Sequence, residues 1–251
     1  MALGLNRVTL VGRLAEDAAL RYTPSGVAVL EGTLHGQEEL FVGEDVRVVE
    51  WYHRFEQIGK AAEYSAERAC VKGTPLVLDG SLEYSEWEAP EGGKRSALGV
   101  KALQLAVLDA PADAVLGLNQ VLVSGHLARD VQLRYTGEQE AVLEMRLGIT
   151  DRFRDRQGRP QQKTHWLNAV LWRQLAITHQ AVRKGAGMVV EGRLYNESWV
   201  DREGHKRRAT KVWNEPNRAD RGASHIWAAV YWAANSAGGT YPRLECSRRR
   251  L

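Results

Sequence analysis

The sequence predicts an all-β chain with short helices, arranged as two tandem barrels of five strands each. Two observations carry that expectation. The first is an internal repeat: LNRVTLVGRLAEDAALRYT at 5–23 returns as LNQVLVSGHLARDVQLRYT at 118–136. AVLE at 28–31 returns at 141–144, and KGTPLVLDGSLEYSEW at 72–87 returns as KGAGMVVEGRLYNESW at 184–199. Such a period is too long for a solenoid unit and fits a small domain, so one fold occurs twice. The second is the period-two apolar alternation inside each copy, the mark of half-buried strands.

The second copy shows its elements most clearly. Val121, Val123, Gly125 and Leu127 alternate over 120–127, and Ala141, Leu143, Met145, Leu147 and Ile149 over 141–149. A third strand is expected over 164–172. There His165, Leu167, Ala169 and Leu171 form the inward set, which leaves Trp166 and Trp172 on the outward face. RQLAITHQAVRKG then loses the alternation and closes on Arg-Lys-Gly, as a short helix with a glycine stop does. GMVVEGRLYNESW supplies a fourth strand and RRATKV opens a fifth. Three strands, a helix and two strands is the order of the OB-fold, a partly open Greek-key barrel. The expected domains are 1–107 and 118–213, with the linker LDAPADAVLG at 108–117 and a tail at 214–251.

A chain of 251 residues has room for two such domains, and its 44 % hydrophobic content is normal for a globular protein. No apolar run approaches the roughly 18 residues of a membrane span, and the N-terminus lacks a signal-peptide pattern. A cytoplasmic protein with no membrane partner is expected. Cys70 and Cys246 suit a reducing compartment, and their spacing supports neither a disulfide framework nor a metal site. Cys70 is expected to be a small buried residue. The seven histidines show no metal-ligand spacing and no nucleophile partner, and EGGK at 91–94 lacks a phosphate-loop pattern. No cofactor and no catalysis are expected. His53 and His165 are assigned to the third strands as ordinary side chains, and Tyr22 and Tyr135 to maintenance of the fold.

Charge divides the two copies. Residues 1–113 hold 11 Lys/Arg against 18 Asp/Glu, whereas residues 114–213 hold 17 against 10. DRFRDRQGRPQQKTHW at 151–166 reads as a loop between strands two and three, carrying Arg152, Arg154, Arg156, Arg159 and Lys163. WVDREGHKRR at 199–208 reads as the loop between strands four and five, carrying Arg202, Lys206, Arg207 and Arg208. Phe153, Trp166, Trp172 and Trp199 flank these loops. Cations along the phosphates and flat rings under the bases are what hold a nucleic-acid single strand, at about 1–3 kcal/mol per stacked base. Outward-facing tryptophans on a soluble protein acquire a purpose if bases cover them.

The repeated LN.V...G.LA.D..LRYT, the WYHR of 51–54, the GKAAE of 59–63 and the KG....V.G.L....W runs resemble the bacterial single-stranded DNA-binding proteins. Two such domains in one chain are similar to the tandem form of the Deinococcus–Thermus group, and the resemblance covers about residues 3–213. It implies sequence-independent binding of single-stranded DNA in replication, recombination and repair. It also implies a homodimer that presents four OB domains. The stacking positions of that family fall on Phe153, Trp166, Trp172 and Trp199 in the second copy. In the first copy they fall on Tyr52, with Trp51 beside it, on Ile58 where a ring is expected, and on Trp87. Phe41 is a doubtful equivalent of the fourth. Arg54, Lys94 and Arg95 complete the first set of DNA-binding residues. With fewer rings and less positive charge, the first domain is expected to bind more weakly.

The tail departs from the resemblance. WNEPNRADRGASHIWAAVYWAANSAGG ends in ECSRRRL, whereas the family ends in an acidic tip that recruits replication and repair partners. That recruitment is therefore in doubt. A frame change near codon 213, an artificial extension and true divergence all remain open, and residues after about 216 are expected to be poorly ordered. Two other functions are weighed against DNA binding. Tandem OB domains also serve as protein-interaction modules, and an OB-type nuclease would need a metal at Asp151, Asp155 and Asp201, whose spacing does not favour one.

Overall fold

The computed structural model describes residues 4–42, 45–68, 71–88, 92–155, 157–200, 204 and 206–214; for 39–42, 45–47, 94 and 206–208 it describes the backbone alone. Cys70, Arg156, Asp201, Arg202 and the tail after Asn214 lie outside these residues. The first domain contains β1 (Asn6–Leu14), β2 (Ala19–Tyr22), β3 (Ala28–Val42), β4 (Asp45–Ile58), α1 (Lys60–Ala66), β5 (Pro75–Glu88) and β6 (Lys94–Val107). The second repeats it as β7 (Leu118–Leu127), β8 (Gln132–Tyr135), β9 (Ala141–Arg154), β10 (Pro160–Trp172), α2 (Arg173–Thr178), β11 (Gly187–Val200) and β12 (Lys206–Asn214).

In each domain five strands are hydrogen-bonded in a ring. β1 pairs with β3, β3 with β4, β4 with β6, β6 with β5, and β5 with β1. β7, β9, β10, β12 and β11 repeat the circuit. The alternation seen in sequence fills the rings: Val8, Leu10, Leu34, Leu76 and Leu78 are fully buried in one, and Val121, Val123, Leu143, Leu147 and Ile149 in the other. Each such aliphatic side chain contributes about 1.5–3 kcal/mol by leaving water.

β1 and β7 also pair with each other, antiparallel, from Asn6↔Val123 to Val11↔Leu118. Val8 sits opposite Val121, its own equivalent in the repeat, so a pseudo-twofold axis passes between them. The two barrels are thus one continuous twelve-stranded sheet. Where the β1–β5 and β7–β11 ladders stop, asparagine side chains extend them. Asn6 bonds both backbone groups of Leu82, and Asn119 bonds both of Leu194.

The structure corrects several expectations. The basic stretch at 151–166 is not a loop: β9 and β10 continue past the barrel as a hairpin arm closed by a turn at 155–159. Asp155 accepts from the backbone N–H of Gln157 and of Arg159 and from the Arg159 side chain, and Gly158 takes the positive φ that the turn requires. Alternation fades there because the arm stands beyond the core. In the 199–208 stretch, residues 199–200 end β11 and 206–208 begin β12, so the described residues there are strand apart from Gly204. The helix is shorter than 173–185, ending at Thr178. Tyr22 and Tyr135 lie on the added edge strands β2 and β8 and are 57 % and 60 % exposed, so neither supports the core.

His53 and His165 are on the third strands as expected, but both work at the seam between domains. His53 Nε2 lies 3.2 Å from the Leu194 carbonyl of the other domain, and His165 Nδ1 accepts from the Tyr84 N–H at 2.9 Å. Asn196 adds a bond from its side-chain amide to the Tyr52 carbonyl, 2.7 Å. Burial pushes His53 down to about 4, so it is neutral at neutral pH, and burial also lowers His165 against the pull of Asp151.

Candidate nucleic-acid interface

Strand register assembles the outer face of the second barrel. Arg146, Gly148, Thr150, Arg152 and Arg154 of β9 lie on the same side as Asn168 and Trp166 of β10, because Trp166 pairs with Gly148 and Asn168 with Arg146. The face continues across Lys211 and Trp213 of β12 to Arg193, Tyr195, Glu197 and Trp199 of β11. Gly148 is what lets the Trp166 ring lie along the sheet: a Cβ there would stand 3.0 Å from the indole. The Arg146 guanidinium sits 5.4 Å from the Trp166 ring centre, and Trp166 and Trp199 are exposed. Arg207 is directly opposite Trp199 in the ladder, with Lys206 and Arg208 on either side of it along β12.

The other site residues lie differently. Phe153 and Lys163 alternate with that face and point, by register, to the seam side of the arm. There a groove between the domains is lined by Glu83, Lys101, Arg152, Phe153, Gln162 and Lys163. Lys163 is already paired with Glu83 of the first domain. Burial pushes the Glu83 carboxyl up, but the hydrogen bond and charge of Lys163, joined by Lys101, leave it below its ordinary value. Trp172 is half buried: its ring stacks on Trp213, centres 5.2 Å apart and 13° between planes.

The first domain presents the same face with other residues. Tyr52 occupies the place of Trp166 and is exposed, but His35 stacks on it at 4.4 Å and 16°. Trp51 is only 8 % exposed; its ring fills a slot left by Gly12 and Gly36, so of this pair Tyr52 alone offers a surface ring. By register Trp51 occupies the inward position that His165 holds in the second domain. Ile58 and Trp87 are exposed, and Arg95 is opposite Trp87, with Lys94 beginning the strand. Arg54 shares a groove with Glu16, Asp17, Glu31 and Glu56, four carboxylates that make its surroundings acidic.

Four residues of the second face were not singled out from sequence: Arg146, Tyr195, Lys211 and Trp213. Tyr195 could have been found two steps of two before Trp199 on a strand. Trp213 closes the expected second domain just where the fifth strand's alternation is lost in sequence, which hides its membership of β12. Of the carboxylates weighed for a metal, Asp151 lies 3.2 Å from His165 and Asp155 builds the turn, while Asp201 lies outside the described residues. Among the described residues no three metal-ligating side chains are placed together to hold an ion. Nor, among them, is any helix long and apolar enough to cross a membrane.

Comparison with known proteins agrees with this geometry. The model of the single-strand binding protein family matches residues 5–108 and again 118–217. The chain is 43 % identical to the single-stranded DNA-binding protein of Deinococcus radiodurans, over 99 % of this chain and 86 % of that one. It is 41 % identical to the Thermus thermophilus protein of the same name, over 84 % and 83 %. The crystal structure of the wild-type single-stranded DNA-binding protein of Thermus aquaticus superposes with a TM-score of 0.71 at 32 % identity, covering 96 % of this chain and 98 % of that one. The repeat, the paired rings and these matches place the chain in the single-strand binding protein family.

Proposed function

We propose that the chain binds single-stranded DNA without sequence preference and without catalysis, protecting it during replication, recombination and repair. The observation that supports this best is the outer sheet of the second barrel, where Trp166 and Trp199 lie open beside Arg146, Arg152, Arg154 and the end of β12. Bases stack on the rings and phosphates meet the cations, which is the general mode for single strands. Phe153, Trp172, Lys163, Lys206, Arg207 and Arg208 belong to the same surface or its seam-facing edge. Tyr52, Arg54, Trp87, Lys94 and Arg95 form a weaker counterpart in the first domain. The unit in solution is a homodimer in the bacterial cytosol, offering four OB domains to one strand.

Titration with poly(dT) tests the reading. Intrinsic tryptophan fluorescence should be strongly quenched, and log K should fall with log salt by about 0.7 for each phosphate neutralised. Binding without quenching, or binding insensitive to salt, contradicts it.

A further inference from the structure

One corner of the second face has a ring arrangement that changes which residue meets a base. Trp172 ends β10, and its ring lies nearly parallel to Trp213 of β12. Its Nε1 is buried and has no partner among the described residues. Val170, two residues before Trp172 on the same face of β10, is paired with Trp213 in the ladder and is buried as well. Tyr195 of β11 meets Trp213 edge-on, centres 4.4 Å apart at 70°, and is 42 % exposed. Three rings from three strands therefore form a ladder whose inner rung is Trp172 and whose open rung is Tyr195. Perpendicular and offset-parallel contacts of this kind stabilise one another. They hold the outer rings in a fixed orientation, so little side-chain entropy is lost when a base arrives.

The first domain lacks the ladder completely. Register places Ile58 at the position of Trp172, Lys101 at that of Trp213 and Glu83 at that of Tyr195. Glu83 and Lys101 form an ion pair of 4.0 Å there. The same backbone thus carries a salt bridge in one copy and an aromatic ladder in the other.

We propose that at this corner a nucleobase of the single strand stacks on Trp213 and Tyr195, and that Trp172 is a positioning ring behind them rather than the platform. This rests on the reading of the outer face as the single-strand surface. The test uses the intact chain and a dT oligonucleotide carrying 5-iodouracil. Photo-crosslinks should fall on Tyr195 or Trp213, and Trp172 should remain unmodified. The double variant Y195E/W213K copies the Glu83–Lys101 pair that the same backbone already accommodates in the first domain, and it leaves net charge unchanged. Its affinity should drop at least about fivefold, the lower range for loss of a stacked base. Trp172→Ile, which copies Ile58, should cost less than about twofold. Crosslinking at Trp172 alone, or a larger loss for Trp172→Ile than for the double variant, overturns the proposal. Trp166→Ala is measured alongside. If it weakens binding while Y195E/W213K does not, the ladder assignment is wrong. If neither does, the wider reading of the face is wrong.

Discussion

At one register position the two copies differ in a way that separates fold from surface. Trp166 lies over Gly148 with Arg146 against it, whereas Tyr52 is stacked on His35 and Thr33 stands where the arginine would be. Directly behind, the inward positions are filled in both copies by compensating residues: Phe55 beside Gly32, with Leu34 and Leu82, in one barrel, and Ala169 beside Met145, with Leu147 and Leu194, in the other. A duplicated barrel must keep its inward volume to keep its ring of strands, because interiors are close-packed. Nothing of the kind restrains the outward face. The second copy has filled it with rings and cations, and the first has set Arg54 among carboxylates and capped Tyr52 with an imidazole. The difference teaches that one frame carries two different surfaces, and our proposal assigns most of the single-strand affinity to the second.

The largest expected effect tests a difference inside that frame. His53 in the first barrel corresponds to Leu167 in the second. Because burial depresses His53 from 6.5 to about 4, protonation favours the unfolded chain. Its contribution is complete above about pH 6.5 and is lost as pH falls toward 4, on the order of 3 kcal/mol in all. Denaturant unfolding at pH 7 and at pH 4.5 should show that loss, and His53→Leu should reduce it. An unchanged pH dependence in the variant would assign the acid sensitivity to other groups.

Next in size is the contrast between platforms. Trp166→Ala should cost roughly 1–3 kcal/mol of binding to a labelled dT strand, and Tyr52→Ala under about 1 kcal/mol because His35 already covers one side of that ring. Anisotropy titrations under matched salt decide it, and equal losses would break the comparison. A smaller effect is expected from Arg152→Ala and Arg154→Ala. Each should lower the magnitude of the salt slope by about 0.7, the change for one phosphate contact on a single strand. Arg54→Ala should barely alter the slope, given the four carboxylates that line its groove. Least of all should change on deleting 217–251: affinity should stay within about twofold, less the small share from the tail's excess of Lys/Arg. Loss of binding or of dimers would make the tail structural.

Much of this was legible in the sequence because it follows from period and repetition. The inward set His165, Leu167, Ala169 and Leu171 is buried as alternation requires, and the repeat at 5–23 and 118–136 does mark two copies of one barrel. What escaped depends on contacts between distant segments. Trp51 and Tyr52 are adjacent letters, but only Gly12 and Gly36, brought together by strand pairing, make a slot that takes one of them inside. His53 and His165 gained their roles from a β1–β7 pairing that no local pattern announces. The arm at 151–166 was misassigned because a hairpin beyond the core is solvated on both faces and shows no alternation.

The central claim is that the second barrel's outer face carries most of the single-strand affinity. Amide hydrogen exchange on the intact chain, with less than one equivalent of a dT strand of about eight nucleotides, addresses it most directly. Such a strand is within the site size of a single OB domain. Protection should appear first along β9, β10 and the outer end of β11, around Arg146, Trp166 and Trp199, while β3, β4 and β5 remain unchanged until the second barrel is filled. Equal protection in both barrels, or earlier protection around Tyr52 and Trp87, would contradict the account.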